Sequence, residues 1–115
     1  MRILWVENHA GFVRVAGRQF LAAHELAVVP SLTAAKESLS SGMFDVVLLD
    51  YDLDDGKGVE LIPFIQQLPN TPAVIAVSAH EDGNAALVGA GAKAACAKAK
   101  FATIESVLAS VVSRG

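Results

Sequence analysis

The stretch VVLLDYDLDDGKG, residues 46–58, decides how this chain is read: four apolar residues run directly into Asp50, Asp52, Asp54 and Asp55. A continuous apolar run of strand length, bounded by polar turn residues, marks a strand covered on both faces. The run placed directly before Asp50 makes that residue the buried end of the strand. Asp54-Asp55-Gly56, one turn further on, reads as a solvated turn.

The same arrangement repeats on either side. RILWV at the N-terminus reads as a first strand, and Val13, Ala16, Gly17, Phe20 and Leu21 follow it at helical spacing with Arg14 and Arg18 on the opposite face. LAVV at 26–29 is a second strand. Ser31 is placed to cap a helix carrying Leu32, Ala35 and Leu39, which Gly42 ends as a residue just past the helix. After FDVVLL come a third helix over 59–68, a fourth strand AVIAVS, a Gly-interrupted helix GNAALVGA, a fifth strand AACA, and a last helix striped by Ile104, Val107, Leu108, Val111 and Val112. Pro63 falls inside the third helix and predicts a bend there.

Strands this apolar, each followed by a helix, predict an α/β fold: a doubly wound, five-stranded parallel sheet in the flavodoxin-like order 2-1-3-4-5, a (βα)5 three-layer sandwich with right-handed crossovers. In that order the first and third strands are neighbours, and the ligand crevice opens at their carboxyl ends. Glu7 and Asn8 then close the first strand, Asp50 the third, Ser78 the fourth and Lys98 the fifth. All the strand-closing polar residues converge on one rim.

The whole chain, 1–115, reads as one domain. Its 53% hydrophobic content suits a compact globule, and its formal charge of −3 with no Lys/Arg-rich block argues against nucleic acid as a direct partner. No apolar run reaches the length of a membrane span, and the first residues lack a signal-peptide pattern, so a cytoplasmic location is expected. Cys96 has no second cysteine to pair with and reads as a packed thiol. Trp5 reads as packed in the first strand; His9, His24 and His80 share no metal-ligand spacing and read as surface groups.

Glu7, Asp50 and Asp52 crowded on one rim would repel one another unless a cation neutralised them. Oxygen ligands in a small cluster suit Mg²⁺, which takes few protein ligands and keeps several waters. An Asp carboxylate beside Mg²⁺ and a Lys ammonium is a nucleophile suited to accepting a phosphoryl group, and Ser78 is placed to donate to a transferring oxygen.

These residues resemble the receiver domain of bacterial two-component response regulators, of the chemotaxis-regulator type, over essentially the whole chain. ILWVENH is similar to that family's first strand with its acidic pair, FDVVLLDYDLDDGKGVELI to its phosphorylation segment, AVIAVSAH to its hydroxyl-bearing fourth strand, and GAKAACAK to the segment ending in its lysine. The resemblance implies a phosphorelay protein that accepts a phosphoryl group on Asp50 from a sensor histidine kinase or histidine phosphotransfer protein. It implies Glu7, Asn8, Asp50 and the backbone carbonyl of Asp52 as the Mg²⁺ site, and Ser78 and Lys98 as the phosphoryl contacts. Such a domain catalyses only its own phosphorylation and dephosphorylation; an output domain, a downstream protein or a second copy of the chain would receive the signal.

The chain departs from the family pattern at several positions. Asn8 stands where a second acid usually binds the metal, which lowers the expected metal affinity. Ala95 stands where an aromatic switch residue is usual, three positions before the lysine. Ala99 replaces a proline, Asp54 replaces another, and the fourth helix is about half a turn short. Lys100 lies on the same strand face as Lys98, and Lys98 is preferred by its distance from Gly91-Ala92. An EF-hand frame starting at Asp50 fails, because Asp55 occupies the glycine position and Leu61 the terminal glutamate position. A dehalogenase-type aspartyl-phosphate hydrolase needs far more chain after its DxD strand. The remaining alternative is a pseudo-receiver, an interaction module of the same fold that works without phosphate; Asn8 and Ala95 are its evidence.

Overall fold

The computed structural model describes residues 1–112. Along the chain run β1 (Arg2–Val6), α1 (Ala10–Phe20), β2 (Glu25–Val29), α2 (Leu32–Ser41), β3 (Val46–Leu49), a small hairpin of β4 (Asp52–Leu53) and β5 (Gly56–Lys57), and a 3-10 segment Gly58–Leu61. Then come α3 (Ile62–Gln66), β6 (Ala73–Ala76), α4 (Glu81–Ala90), β7 (Ala94–Ala95), a second 3-10 segment Lys98–Thr103 and α5 (Ile104–Val112). The large sheet has the order β2-β1-β3-β6-β7, all parallel, which is 2-1-3-4-5 when its own strands are counted. This is the doubly wound, flavodoxin-like arrangement expected from the apolar runs.

Two cores follow from the pleat, since successive side chains on a strand point to opposite faces. Leu4, Val6, Val47, Leu49, Val74 and Ala76 face Leu32, Ala35, Leu39, Ile62, Ile65 and Leu87 of α2, α3 and α4. Ile3, Trp5, Val46, Leu48 and Ile75 face Ala16 of α1 and Ile104 and Leu108 of α5. Trp5 is fully buried, stacked on Phe101 at 5.0 Å between centroids and meeting the edge of Phe12 at 5.7 Å. Cys96 is buried, and burial pushes its thiol pKa up.

Several expectations need correction. The third helix does not run unbroken over 59–68: a 3-10 turn leads into α3, and Pro63 sits in the first turn of α3, where its missing N–H costs nothing. The fifth strand is two residues long, so Lys98 opens the following 3-10 segment rather than closing the strand. The glycines of the fourth helix do not break it, and α4 starts two residues earlier than expected, at Glu81. Gly42 does end α2, but in an extended conformation rather than a left-handed one.

Asp54 and Asp55 form the exposed turn expected of them, and Asp55 has a structural role besides. Its carboxylate accepts from Leu32 N at 2.7 Å, Thr33 N at 3.1 Å and Thr33 Oγ1 at 2.8 Å, so it caps α2 alongside Ser31, whose Oγ accepts from Ala34 N at 3.1 Å. Those hydrogen bonds hold the Asp55 pKa below its ordinary value, the bond from Leu32 first. Two of the histidines also have structural work. His9 caps α1 by accepting from Phe12 N, and the nearly buried His24 lies 2.6 Å from Glu105 of α5.

Candidate functional site

The parallel ladder extends one residue past each strand and thereby fixes the rim. Glu7 N donates to Val29 O at 2.9 Å, Asp50 N to Val6 O at 3.0 Å and Val77 N to Leu49 O at 2.9 Å. Val6 and Leu49 are register partners, so Glu7 and Asp50 leave adjacent strands side by side. From the far edge, Lys98 N donates to Ser78 O at 3.2 Å, which brings the lysine to the same rim.

Three side chains meet there. Lys98 Nζ lies 2.8 Å from Glu7 Oε2 and 3.2 Å from Asp50 Oδ2, with Glu7 2% and Asp50 6% exposed. The ammonium also stands 5.4 Å from the centre of the Phe12 ring. Tyr51 N donates to Asp50 Oδ1 at 2.8 Å and His9 N to Glu7 Oε2 at 3.2 Å. One ammonium between two carboxylates leaves an excess negative charge. Burial pushes the Glu7 pKa up to about 7, Asp50 pushing the same way and the Lys98 hydrogen bond opposing.

Ser78 is buried beside this cluster. Its Oγ accepts from His80 N at 3.2 Å. Its backbone is gripped by Asn84 of α4, whose Oδ1 accepts from Ser78 N at 2.9 Å while its Nδ2 donates to Ser78 O at 3.2 Å.

One of the expected metal-site residues turns its side chain elsewhere. Asp52 is exposed on the β4–β5 hairpin and its carboxylate pairs with Lys57, so it does not crowd Glu7 and Asp50. Asn8 Nδ2 donates to Asp54 Oδ1 at 3.0 Å. Lys100 is exposed, in a non-helical conformation within the 3-10 segment. Among the described residues no three Asp, Glu, His or Cys side chains converge as ligands for one ion. What does converge is the Glu7 and Asp50 carboxylate pair, and Glu7 Oε1 is buried with no hydrogen-bond partner. An orphaned carboxylate oxygen beside a second carboxylate suits a hard divalent cation that keeps most of its waters. A cleft of about 250 Å³ between α1 and β2, lined by Glu7, Asn8, Arg14 and Pro30 among others, borders this spot.

Two glycines of the rim escaped the sequence reading, as did Asn84. A Cβ on Gly58 would fall 2.0 Å from Asp50 O, and one on Gly83 would fall 2.8 Å from Ser78 Oγ and 3.0 Å from Tyr51 Cβ. Neither position accepts a side chain while the rim keeps its shape. The only trace in the sequence was a second glycine two residues after Gly56, and a glycine opening a helical segment.

The chain matches the family model described as "Response regulator receiver domain" over residues 3–110. Its fold is shared by solved structures of low identity. A CheY-like response regulator receiver domain from Methylobacillus flagellatus is 23% identical with TM-score 0.83, covering 96% of this chain and 98% of that one. The response regulator TrrA from Thermotoga maritima, solved in complex with Mg²⁺-BeF, is 18% identical with TM-score 0.84 over 96% and 98%. A CheY-like receiver domain protein from Methanospirillum hungatei is 19% identical with TM-score 0.80 over 96% and 92%. No curated protein matches the chain at a significant level.

Proposed function

We propose, on the premise that this chain belongs to the response regulator receiver domain family, that it accepts a phosphoryl group on Asp50 from a histidine kinase or histidine phosphotransfer protein. The observation that carries this reading is the buried Glu7–Lys98–Asp50 cluster at the carboxyl rim of the parallel sheet. An Asp50 carboxylate oxygen attacks the phosphorus of a phosphohistidine; the O–P bond forms, the N–P bond breaks, and the electron pair stays on the imidazole nitrogen. Tyr51 N–H holds Asp50 Oδ1, which leaves Oδ2, the oxygen facing Lys98, as the attacking atom. The Lys98 ammonium is within reach of the charge that gathers on the phosphoryl oxygens, and Ser78 Oγ–H supplies a second donor. Burial of Asp50 keeps bulk water off the acyl phosphate once it forms.

Mg²⁺ fits the carboxylate pair, held by Glu7 and Asp50 with Asn8 Oδ1 and the Asp52 backbone carbonyl as neutral donors; bound there it would offset charge on the phosphoryl oxygens. Such a domain is a signalling phosphoacceptor. Its signal would pass to an output domain, a downstream protein or a second copy of the chain. Among the described residues no helix is long and apolar enough to cross a membrane.

Acetyl phosphate supplies the test. With Mg²⁺ present the intact mass should rise by one phosphoryl group, and Asp50→Asn should abolish the gain. An unchanged wild-type mass would favour the phosphate-independent pseudo-receiver, for which the neutral Asn8 and the exposed, ringless Ala95 are the supporting features.

A further inference from the structure

We infer that Asp54 restores the charge which Asn8 lacks, and that the two side chains act as one unit in the metal position: Asn8 Oδ1 as the ligand atom and the Asp54 carboxylate as the group that orients and polarises it. The inference rests on the metal reading of the Glu7–Asp50 rim.

A carboxylate can only accept hydrogen bonds, so the amide atom 3.0 Å from Asp54 Oδ1 must be Nδ2. Asn8 Oδ1 is therefore the amide atom left over, and it makes no hydrogen bond among the described residues. Drawing on the amide N–H, an anion pushes electron density toward the amide oxygen and strengthens it as a ligand. Outer carboxylates act in this way on ligating side chains generally.

The hairpin holds Asp54 in place from both sides. Asp54 N donates to Pro30 O at 3.4 Å, and the next residue, Asp55, is bound to the first turn of α2 at 2.7 Å. Asn8 can thus meet a carboxylate whose backbone is anchored independently of Asn8. A second observation points to a cation at the same rim: Glu7 Oε1, on the residue before Asn8, is buried without a partner. Glu7 and Asp50 supply two carboxylates to the rim, and Asp54 adds a third through Asn8. The third lies one hydrogen bond further out than a direct ligand would.

This arrangement changes what Asn8→Asp does. In the wild-type background it places two carboxylates at hydrogen-bond distance with no proton between them, and their repulsion offsets the gain of a charged ligand. With Asp54→Asn the same substitution regains a donor and should tighten metal binding in full.

Calorimetric Mg²⁺ affinity, checked by Mn²⁺ water-proton relaxation, tests the unit without any phosphoryl chemistry. Asp54→Asn should weaken binding about tenfold, the low end for outer partners, and Asp54→Glu should recover most of it. In an Asn8→Ala background Asp54→Asn should change affinity less than twofold, because no amide remains to orient. Equal losses in both backgrounds, or none in either, would overturn the inference. Glu7→Gln and Asp50→Asn separate the two levels: if neither weakens binding, the metal site itself is wrong, whereas loss there without loss in Asp54→Asn removes the Asn8–Asp54 unit alone.

Discussion

Replacing Glu7 by Gln should make the metal-free protein more stable at alkaline pH and leave it nearly unchanged at acid pH. In the fold the Glu7 pKa is about 7 against an ordinary 4.5, burial being the main cause. At about 1.4 kcal/mol per unit, ionising Glu7 in the native state costs about 3 kcal/mol. The raised pKa means that the folded protein holds this proton more tightly than the unfolded chain. The associated stability is fully present below pH 4.5, declines as pH rises, and is lost above 7. Gln stays neutral throughout and keeps a side-chain oxygen toward Lys98, so the difference between variant and wild type isolates the titration. Urea unfolding in EDTA at pH 5, 6, 7 and 8 should show that difference growing by up to about 3 kcal/mol in favour of the variant. Adding Mg²⁺ at pH 8 should narrow the gap, since a cation removes the cost of the ionised Glu7. Parallel stability curves across the whole pH range would refute the reasoning.

Lys98→Ala should reduce phosphoryl incorporation from acetyl phosphate about a hundredfold, the order found when one charge-stabilising donor is removed, whereas the exposed Lys100 should tolerate Ala; the reverse ranking by intact mass would assign the role to Lys100. Gly58→Ala forces a methyl group against the Asp50 carbonyl at 2.0 Å and should cost about 3 kcal/mol in urea unfolding, the upper end for overpacking; a loss under about 1 kcal/mol would mean that the segment relaxes freely. Asn84→Ala strips the acceptor from buried Ser78 N, while Ser78 O keeps Lys98 N as a donor. One orphaned donor costs about 2 kcal/mol, and faster amide exchange at Ser78 would localise the effect.

The fold was legible because two periodicities carried it. Runs such as VVLL and RILWV have no polar face, which leaves a doubly covered parallel strand as their natural setting. The stripes on α1 and α5 match the faces that meet the sheet. What the pattern could not supply were features decided by single backbone contacts. Pro63 looked like a kink because the helical spacing began at Val59, yet the first turn adopts 3-10 geometry and α3 begins just before the proline. The β4–β5 hairpin has two-residue strands, too short for any alternation to register. His24 was invisible for another reason: its partner Glu105 lies 81 positions away.

At the rim, residue type located the cluster but not the destination of each acid. Asp50, Asp52, Asp54 and Asp55 are chemically alike and nearly adjacent, so spacing alone ranked them by distance from the buried run. The hairpin sorts them instead. It turns Asp52 outward to Lys57, sets Asp54 against Asn8, and delivers Asp55 to the N-terminus of α2, while the ladder bond from Asp50 N to Val6 O keeps Asp50 beside Glu7. Charge density at the end of β3 is therefore neutralised by four different partners: an ammonium, a second ammonium, an amide and a helix end. Only the ammonium of Lys98 is shared with another buried acid. That sharing makes this one carboxylate of the four the candidate for chemistry, because the remaining three each already have a partner of their own.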